Sequence, residues 1–431
     1  MVKSYTSEKI AIPLVEVKKV SYQQRRNEIY LPIREEKIFT WDVMDGDEYA
    51  LATIHTISSS FRQEISYATE QLGKIFARTA EVVSQGLNQL LRELGIPKET
   101  WKTIRIQIDP SIPTTVGRFD FANTPHGLKM LEFNSDTPTS IVESFYVNDK
   151  VCSYFGVENP NHNMEQHLRQ AFTRIIQQYK RLGYKTDRIY FSALDWHIED
   201  AGTTRYLLQQ SGLLAKFAPL SSLVVHQNRL YVESGPQKTL WPVDILYRLY
   251  PLELLAETRD KDGYPTGPHI LNLIANRKVG IINPPGAFIS QTKGLQALIW
   301  GIHEQGVFFT EEEHEIIEKY MIPTYFDNPF HGIKPYVRKP IFGREGGAVS
   351  LFDKEGNLLA EDKAQLYWEQ SMIYQEMVEL EPITVETLKG EFSGRLLWGS
   401  FLIDGHASAI IARIDKEITG DNSYYLPVAV D

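Results

Sequence analysis

The chain of 431 residues holds one cysteine, Cys152, so it can form no internal disulfide and no multi-cysteine zinc site. Cys152 reads as a small buried hydrophobe, because a reactive thiol needs a depressed pKa that nothing in its local sequence announces. Positive charge is also in short supply: 45 Lys and Arg face 55 Asp and Glu, a net charge of −10. Without a basic stripe, nucleic acid is not expected as a partner, and any bound anion must be held by a local pocket. No run of about 18 apolar residues occurs, so no membrane-spanning helix is expected. Residues 1–5 lack the apolar core of a secretory signal, and a cytoplasmic location with no membrane partner is the expectation. Internal repeats and low-complexity linkers are missing as well.

What remains is an ordinary globular composition, 42% hydrophobic, 11% aromatic and 23% charged. At roughly 150 residues per domain the length suggests about two or three lobes. The divisions read as 1–100, an N-terminal arm and helices; 101–285, an α/β lobe; and 286–431, a strand-rich lobe. The Pro/Gly cluster at 283–286 marks the second boundary.

Residues 1–40 read as an irregular strand-bearing arm. From 45 to 94 the pattern turns helical, with Leu72, Ile75, Phe76, Ala80, Val83, Leu87, Leu90 and Leu94 at spacings of mostly three and four, and Ile96-Pro97 closing the run. Ile104, Ile106 and Ile108 alternate with polar residues and predict a strand. A helix over 164–182, a strand over 188–193 and a helix near 203–210 suggest an α/β unit. Loops are expected at 262–268 and 283–286, and strands dominate from about 335.

The segment from Arg118 to Asn134 carries the most chemistry. Two short alternating runs flank the Pro/Gly-containing link 123–127, a hairpin signal. Alternation puts Arg118 and Asp120 on one face and Phe119 and Phe121 on the other, with Glu132 and Asn134 opposite Leu131 and Phe133. With the apolar faces turned to a core, an arginine, two carboxylates and an amide share one small surface. Oxygen donors from Asp120, Glu132 and Asn134 suit a hard cation such as Mg²⁺ completed by water and phosphate. The same residues also fit a solvent-facing charge ladder, whose exposed pairs contribute only about 0–1 kcal/mol each.

Beyond the hairpin, Ser140 and Glu143 fit a capping box with Pro138 near the helix start. Free amides there would attract a carboxylate or phosphate beside Arg118, although a capped helix with no ligand fits equally. Farther on, Lys339-Pro-Ile-Phe-Gly343-Arg344-Glu-Gly346-Gly347 lies between two strand-like runs. It matches neither the Walker nor the Rossmann pattern. Strand, glycine loop, strand can still cover a triphosphate, with Lys339 and Arg344 as cations; a plain glycine-rich turn is the alternative.

These pieces, Arg118-x-Asp120, Glu132-x-Asn134 with the following Asp-Thr-Pro-Thr, Lys339-Pro-x-x-Gly343-Arg344-Glu-Gly346, and Ile-x-Ala-Arg413 leading to Ile418-Thr419, run in order over most of the chain. Together they resemble the C-terminal synthetase domain of glutathionylspermidine synthase and its single-domain ATP-grasp relatives. The resemblance implies an α+β, ATP-grasp-like fold, with a helical and α/β substrate lobe and a β-rich C-terminal nucleotide-binding lobe.

It further implies an ATP-dependent ligase joining a carboxylate to an amine through an acyl phosphate, with ATP and two Mg²⁺ ions. By resemblance, Asp120, Glu132 and Asn134 are metal ligands, and Arg118 meets the acid and the transferring phosphate. Lys339, Lys293 and the loop glycines Gly343, Gly346 and Gly347 hold nucleotide phosphates. Arg344 closes over the site, Arg413 attends the reacting phosphate, and the Tyr374, Gln375 and Glu376 segment holds adenine. Ser135, Thr137, Thr139 and Ser140 correspond to the thiol-peptide binding loop.

Glu199 and Asp200 are a loose counterpart of polyamine-binding acids, and a solvated helix-start cluster explains them as well. Nothing before residue 45 resembles the amidase half of the bifunctional enzyme, so hydrolysis is not expected. A nucleotide-binding module that gates a partner protein is the alternative function; it would need no organised carboxylate face.

Overall fold

The computed structural model describes residues 20–344, 346–362, 367–420 and 423–431. Its frame is mixed helix and sheet. At the centre, an antiparallel sheet runs in the order Tyr424–Leu426, His406–Asp415, Gly390–Ile403, Val116–Thr124, Gly127–Asn134, with Pro382–Thr387 also pairing with Gly390–Ile403. The hairpin of the sequence reading is therefore two strands of a larger sheet.

One face of this sheet is covered by the helix Ser59–Gln85, which starts where the Ser58 side chain accepts from the Phe61 amide. Its buried residues Ile65, Leu72, Ile75, Phe76 and Val83 recur at helical spacing and supply one of two large apolar clusters. Contact with the sheet is close at Gly73, where a Cβ would stand 2.8 Å from Leu402 Cδ2. The second cluster gathers the helices Tyr22–Glu35 and Glu165–Arg181 with residues of the sheet's other face, among them Val116, Phe401, Ala409 and Ile411.

A four-stranded parallel sheet, ordered Gly280–Ile282, Ile245–Arg248, Ile189–Ala193, Ala215–Pro219, forms the α/β unit with Glu165–Arg181 and Ile198–Ser211. A five-stranded sheet, ordered Thr324–Tyr325, Met372–Glu376, Tyr336–Pro340, Ser350–Phe352, Leu358–Glu361, carries the glycine loop between Tyr336–Pro340 and Ser350–Phe352. No helix among the described residues is long and apolar enough to cross a membrane.

Several local expectations fail for physical reasons. The arm of residues 1–40 is a helix, Tyr22–Glu35, where it is described, and residues 1–19 lie outside the described residues. Between 45 and 58 there is no helix: short strands Val43–Met44 and Asp47–Glu48 pair, and His55–Ile57 joins Val428–Val430. Ile104, Ile106 and Ile108 form no strand. Ile104 ends the helix Trp101–Ile104 and joins one apolar cluster, whereas Ile106 and Ile108 join the other, so their alternation reflects burial between two cores. The expected 262–268 loop is cut short because the helix Thr266–Ala275 has already begun.

Candidate active site

The polar face of the hairpin is held in place by its apolar one. Register pairs Arg118 with Asn134, Phe119 with Phe133 and Asp120 with Glu132. Phe119 and Phe133 stack with centroids 3.8 Å apart, and Phe76 meets both edge-on at 5.5 and 5.2 Å. The opposite side chains are thereby fixed toward a cleft of about 570 Å³ that Arg118, Asp120, Glu132 and Asn134 all line.

Within it, Arg118 chelates Asp120 through Nε at 2.6 Å and Nη2 at 3.0 Å, and its Nη1 donates to the Thr139 carbonyl at 2.8 Å. Arg413 Nη2 reaches the same carboxylate at 2.8 Å. Asn134 Nδ2 donates to Asp120 at 3.4 Å and to Glu132 at 3.3 Å. From the start of the helix Lys293–Glu304, Lys293 Nζ lies 3.0 Å from Glu132 Oε2 and donates to the Gly343 carbonyl at 2.7 Å.

Electrostatics follow from this crowding. Burial pushes the Glu132 carboxyl up, but Lys293 and Lys339 more than offset that and hold it down at about 2. Lys339, whose Nζ donates to Gln375 Oε1 at 2.7 Å, is lowered to about 8 by burial, only partly offset by Glu132. Burial works against the Arg118 charge as well, yet Asp120 raises its pKa overall.

The glycine loop forms the cleft's cover. Gly346 adopts φ 72°, and a Cβ there would stand 2.6 Å from the Thr419 carbonyl, so the loop can lie against the 417–420 segment only with glycine. Gly343, Arg344 and Gly347 line the cleft with it; Glu345 lies outside the described residues. Arg344 spans to the other wall, where it ion-pairs with Glu253 at 2.9 Å and donates to Thr137 Oγ1 at 2.9 Å. Val337, Leu351, Met377 and Leu397 line the cleft together with Gln375 and Glu376, Val337 pairing with both Gln375 and Leu351 in the sheet.

Not every expected residue reaches the cleft. Thr137, Thr139 and Ser140 line it, whereas Ser135 is buried with its hydroxyl on the Ala287 carbonyl at 2.7 Å. Glu199 lines the cleft, but Asp200, beside it in the first turn of Ile198–Ser211, is held by His197 and is not among the lining residues. Tyr374 is not among them either; its ring lies against Tyr336, centroids 6.2 Å apart.

The capping box does not form. Ser140 takes φ 63°, and Glu143 turns inward to Trp41 and Tyr49. Cleft residues that the sequence reading passed over include Met44, Tyr49, Arg395, Leu397, Glu417 and the stretch 377–380. The last directly continues the 373–376 segment and could have been found by extending it, but an isolated tyrosine in a short irregular stretch carries no sequence signal.

For Mg²⁺, the Asp120 and Glu132 carboxylates are hard donors of the right kind, whereas Asn134 turns Nδ2 to both and its Oδ1 accepts from Gln291 Nε2 at 3.4 Å, so its amide would have to flip to become a ligand. Among the described residues no group of three His, Cys, Asp or Glu is placed to hold a metal ion.

An acidic hairpin facing lysines and arginines beneath a glycine loop, in a mixed helix-and-sheet frame, defines the class: an ATP-grasp-like ligase. The chain belongs to the glutathionylspermidine synthase preATP-grasp family, whose sequence profile matches residues 22–431. The family implies ATP, with Mg²⁺ as the usual companion ion. Over 336 residues the chain is 24% identical to a Haemophilus influenzae protein described as an acid–amine ligase, covering 73% of this chain and 74% of that one. It is 23% identical over 335 residues to trypanothione synthetase of Crithidia fasciculata, covering 73% of this chain and about half, 48%, of that longer protein. A glutathione synthetase-like effector from Globodera pallida shares the fold, with a TM-score of 0.57 at 14% identity over 96% of this chain and 99% of that one.

Proposed function

We propose that this protein joins a small or peptide-like carboxylic acid to an amine, using ATP and passing through an acyl phosphate. The observation that carries the reading is the convergence of Arg118, Asp120, Glu132 and Asn134 with Lys293 and Arg413 in one cleft. Adenine lies against Gln375, Glu376 and the apolar residues around them. Lys339, Lys293 and the amides of Gly343, Gly346 and Gly347 hold the phosphates.

The acid rests against Thr137, Thr139 and Ser140, where Arg118 orients its carboxylate for attack on the γ-phosphorus. Arg118 and Arg413 then offset the charge that builds on the transferring phosphoryl group, which is chiefly positioning and electrostatics. Asp120, Glu132 and Asn134 would hold two Mg²⁺ ions, which neutralise phosphate charge when bound. Arg344 closes the loop over the acid, and Glu199 receives the amine as its ammonium form. Dependence on ATP and the single buried Cys152 support a cytoplasmic setting.

The test is a coupled ADP-release screen of the purified protein with ATP and Mg²⁺. Short peptides, including glutathione, along with dicarboxylic and amino acids, are crossed with alkyl diamines, amino acids and hydroxylamine. ADP should appear only with a particular acid and amine together. Thermal stabilisation by ATP with no ADP release from any pair would instead favour a silent nucleotide-binding module.

A further inference from the structure

Tyr49 and Glu143 have no part in the reading above, yet Tyr49 lines the cleft and Glu143 is a carboxylate fully shielded from solvent. Glu143 Oε1 accepts from Trp41 Nε1 at 2.8 Å and from the Tyr49 hydroxyl at 3.1 Å. Its Oε2 is buried and has no hydrogen-bond partner among the described residues. A buried carboxylate with one oxygen unsatisfied is costly and calls for a use. Glu143 also opens a single π-helical turn, Glu143–Val147, a distortion frequent at functional sites. Since the phenol proton of Tyr49 is committed to Glu143, the lone pairs on its oxygen are left for whatever enters the cleft.

We propose that Tyr49 and Glu143 form a proton relay that converts the ammonium form of the amine substrate into the free nucleophile. The inference rests on the ligase reading. An alkylammonium held by Glu199 donates N–H to Tyr49 Oη while Tyr49 passes its phenol proton to Glu143 Oε1. Ammonium and carboxylate thus become amine and carboxylic acid, and Tyr49 ends as it began. The amine then attacks the carbonyl of the acyl phosphate; the N–C bond forms, the C–O bond to phosphorus breaks, and a second N–H proton leaves on the phosphate. After the products depart, the proton on Glu143 returns through Tyr49 to water.

The groups around the pair favour this traffic. Burial raises Glu143 above the ordinary carboxylate range, and Trp41, Tyr49 and Arg118 offset this only in part. Tyr49 stays protonated, raised by burial and by the charges of Glu143 and Glu199 against the pull of Arg413. Tyr425 donates to the Glu143 carbonyl at 3.1 Å and is likewise kept neutral by burial. Arg118 is already chelated to Asp120, and among the described residues Glu143 has no contact ion pair.

Tyr49→Phe and Glu143→Gln remove one proton site each while keeping the shape. Both are assayed with the acid found in the screen, against the alkylamine found there and against hydroxylamine, which is already neutral near neutral pH. Each variant should lose about a hundredfold in alkylamine-dependent turnover near neutral pH, with hydroxamate formation within about threefold of wild type, the range expected for losing an acid–base group. Alkylamine turnover should recover as the pH approaches the amine's own pKa. An equal fall in both arms marks a structural role and overturns the relay, and so does unchanged alkylamine turnover. Wild-type protein that yields neither ADP nor hydroxamate would overturn the ligase reading itself, and the relay with it.

Discussion

Arg413 Nη2 and Asp120 Oδ2 meet at 2.8 Å across 293 residues of sequence, and the same carboxylate is chelated by Arg118. One buried acid thus organises two guanidiniums from the two strands, Val116–Thr124 and His406–Asp415, that flank Gly390–Ile403 in the central sheet. Room for this comes from Gly399, which pairs with Asp120 and where a Cβ would stand 2.9 Å from Arg118 Cδ.

Asp120→Asn keeps the shape but removes the charge, and turnover should fall by about a hundredfold or more, as for loss of a preorganised electrostatic contact. Asp120→Ala should in addition lower the melting temperature, because removing one partner of a buried ion pair costs about 3–5 kcal/mol. ADP release and thermal melts on both variants check this. Wild-type turnover in Asp120→Asn would remove Asp120 from the site.

Lys339 is protonated below about pH 8 and loses its proton above it. Its charge attracts polyphosphate, so affinity for nucleotide in the absence of acid and amine should fall as pH rises through that value. Lys339→Arg stays charged and should bind with a flat profile over the same interval. Calorimetric titrations with ADP at a series of pH values distinguish the two, and matching profiles would contradict the assignment.

Glu132 is held at about 2, below the 4.5 of a free glutamate. Between these values the unfolded chain takes up a proton that the folded chain does not, so the stabilisation is present above 4.5 and lost as pH falls toward 2. Urea unfolding midpoints should therefore drop with acidification in the wild type more steeply than in Glu132→Gln. Parallel slopes would show that the Lys293 and Lys339 charges do not act on this carboxyl.

Arg344 ties the 343–347 loop to Glu253 and Thr137 on the opposite wall. Glu253→Ala should free the loop, so that trypsin cleaves after Arg344 faster, and ATP with Mg²⁺ should slow the cut in both proteins. Equal cleavage rates in variant and wild type would mean that this ion pair does not restrain the loop.

How much of this could be read from the chain varies with the physics involved. The 116–134 hairpin was legible because period-two alternation around a turn states both pairing and facing; the register bears this out for Arg118, Asp120, Glu132 and Asn134 against Phe119 and Phe133, whereas a shift between Asp120 and Phe121 leaves Leu131, expected on the apolar face, lining the cleft. The strand, glycine loop, strand arrangement at 336–352 was legible for the same reason. The capping box at Ser140 was misread because Trp41 and Tyr49, about a hundred residues earlier, claim the Glu143 side chain, and a tertiary contact overrides a local cap. Ile104, Ile106 and Ile108 were misread because alternate burial need not mean a pleat. Tyr49 was invisible, since its role comes only from what folding brings around it.

The most direct measurement follows oxygen. With the screened acid carrying ¹⁸O in both carboxylate positions, every turnover should deliver one labelled oxygen to inorganic phosphate and leave the other in the amide. Label appearing in AMP, or unlabelled phosphate formed alongside amide, would contradict activation of the acid by phosphorylation.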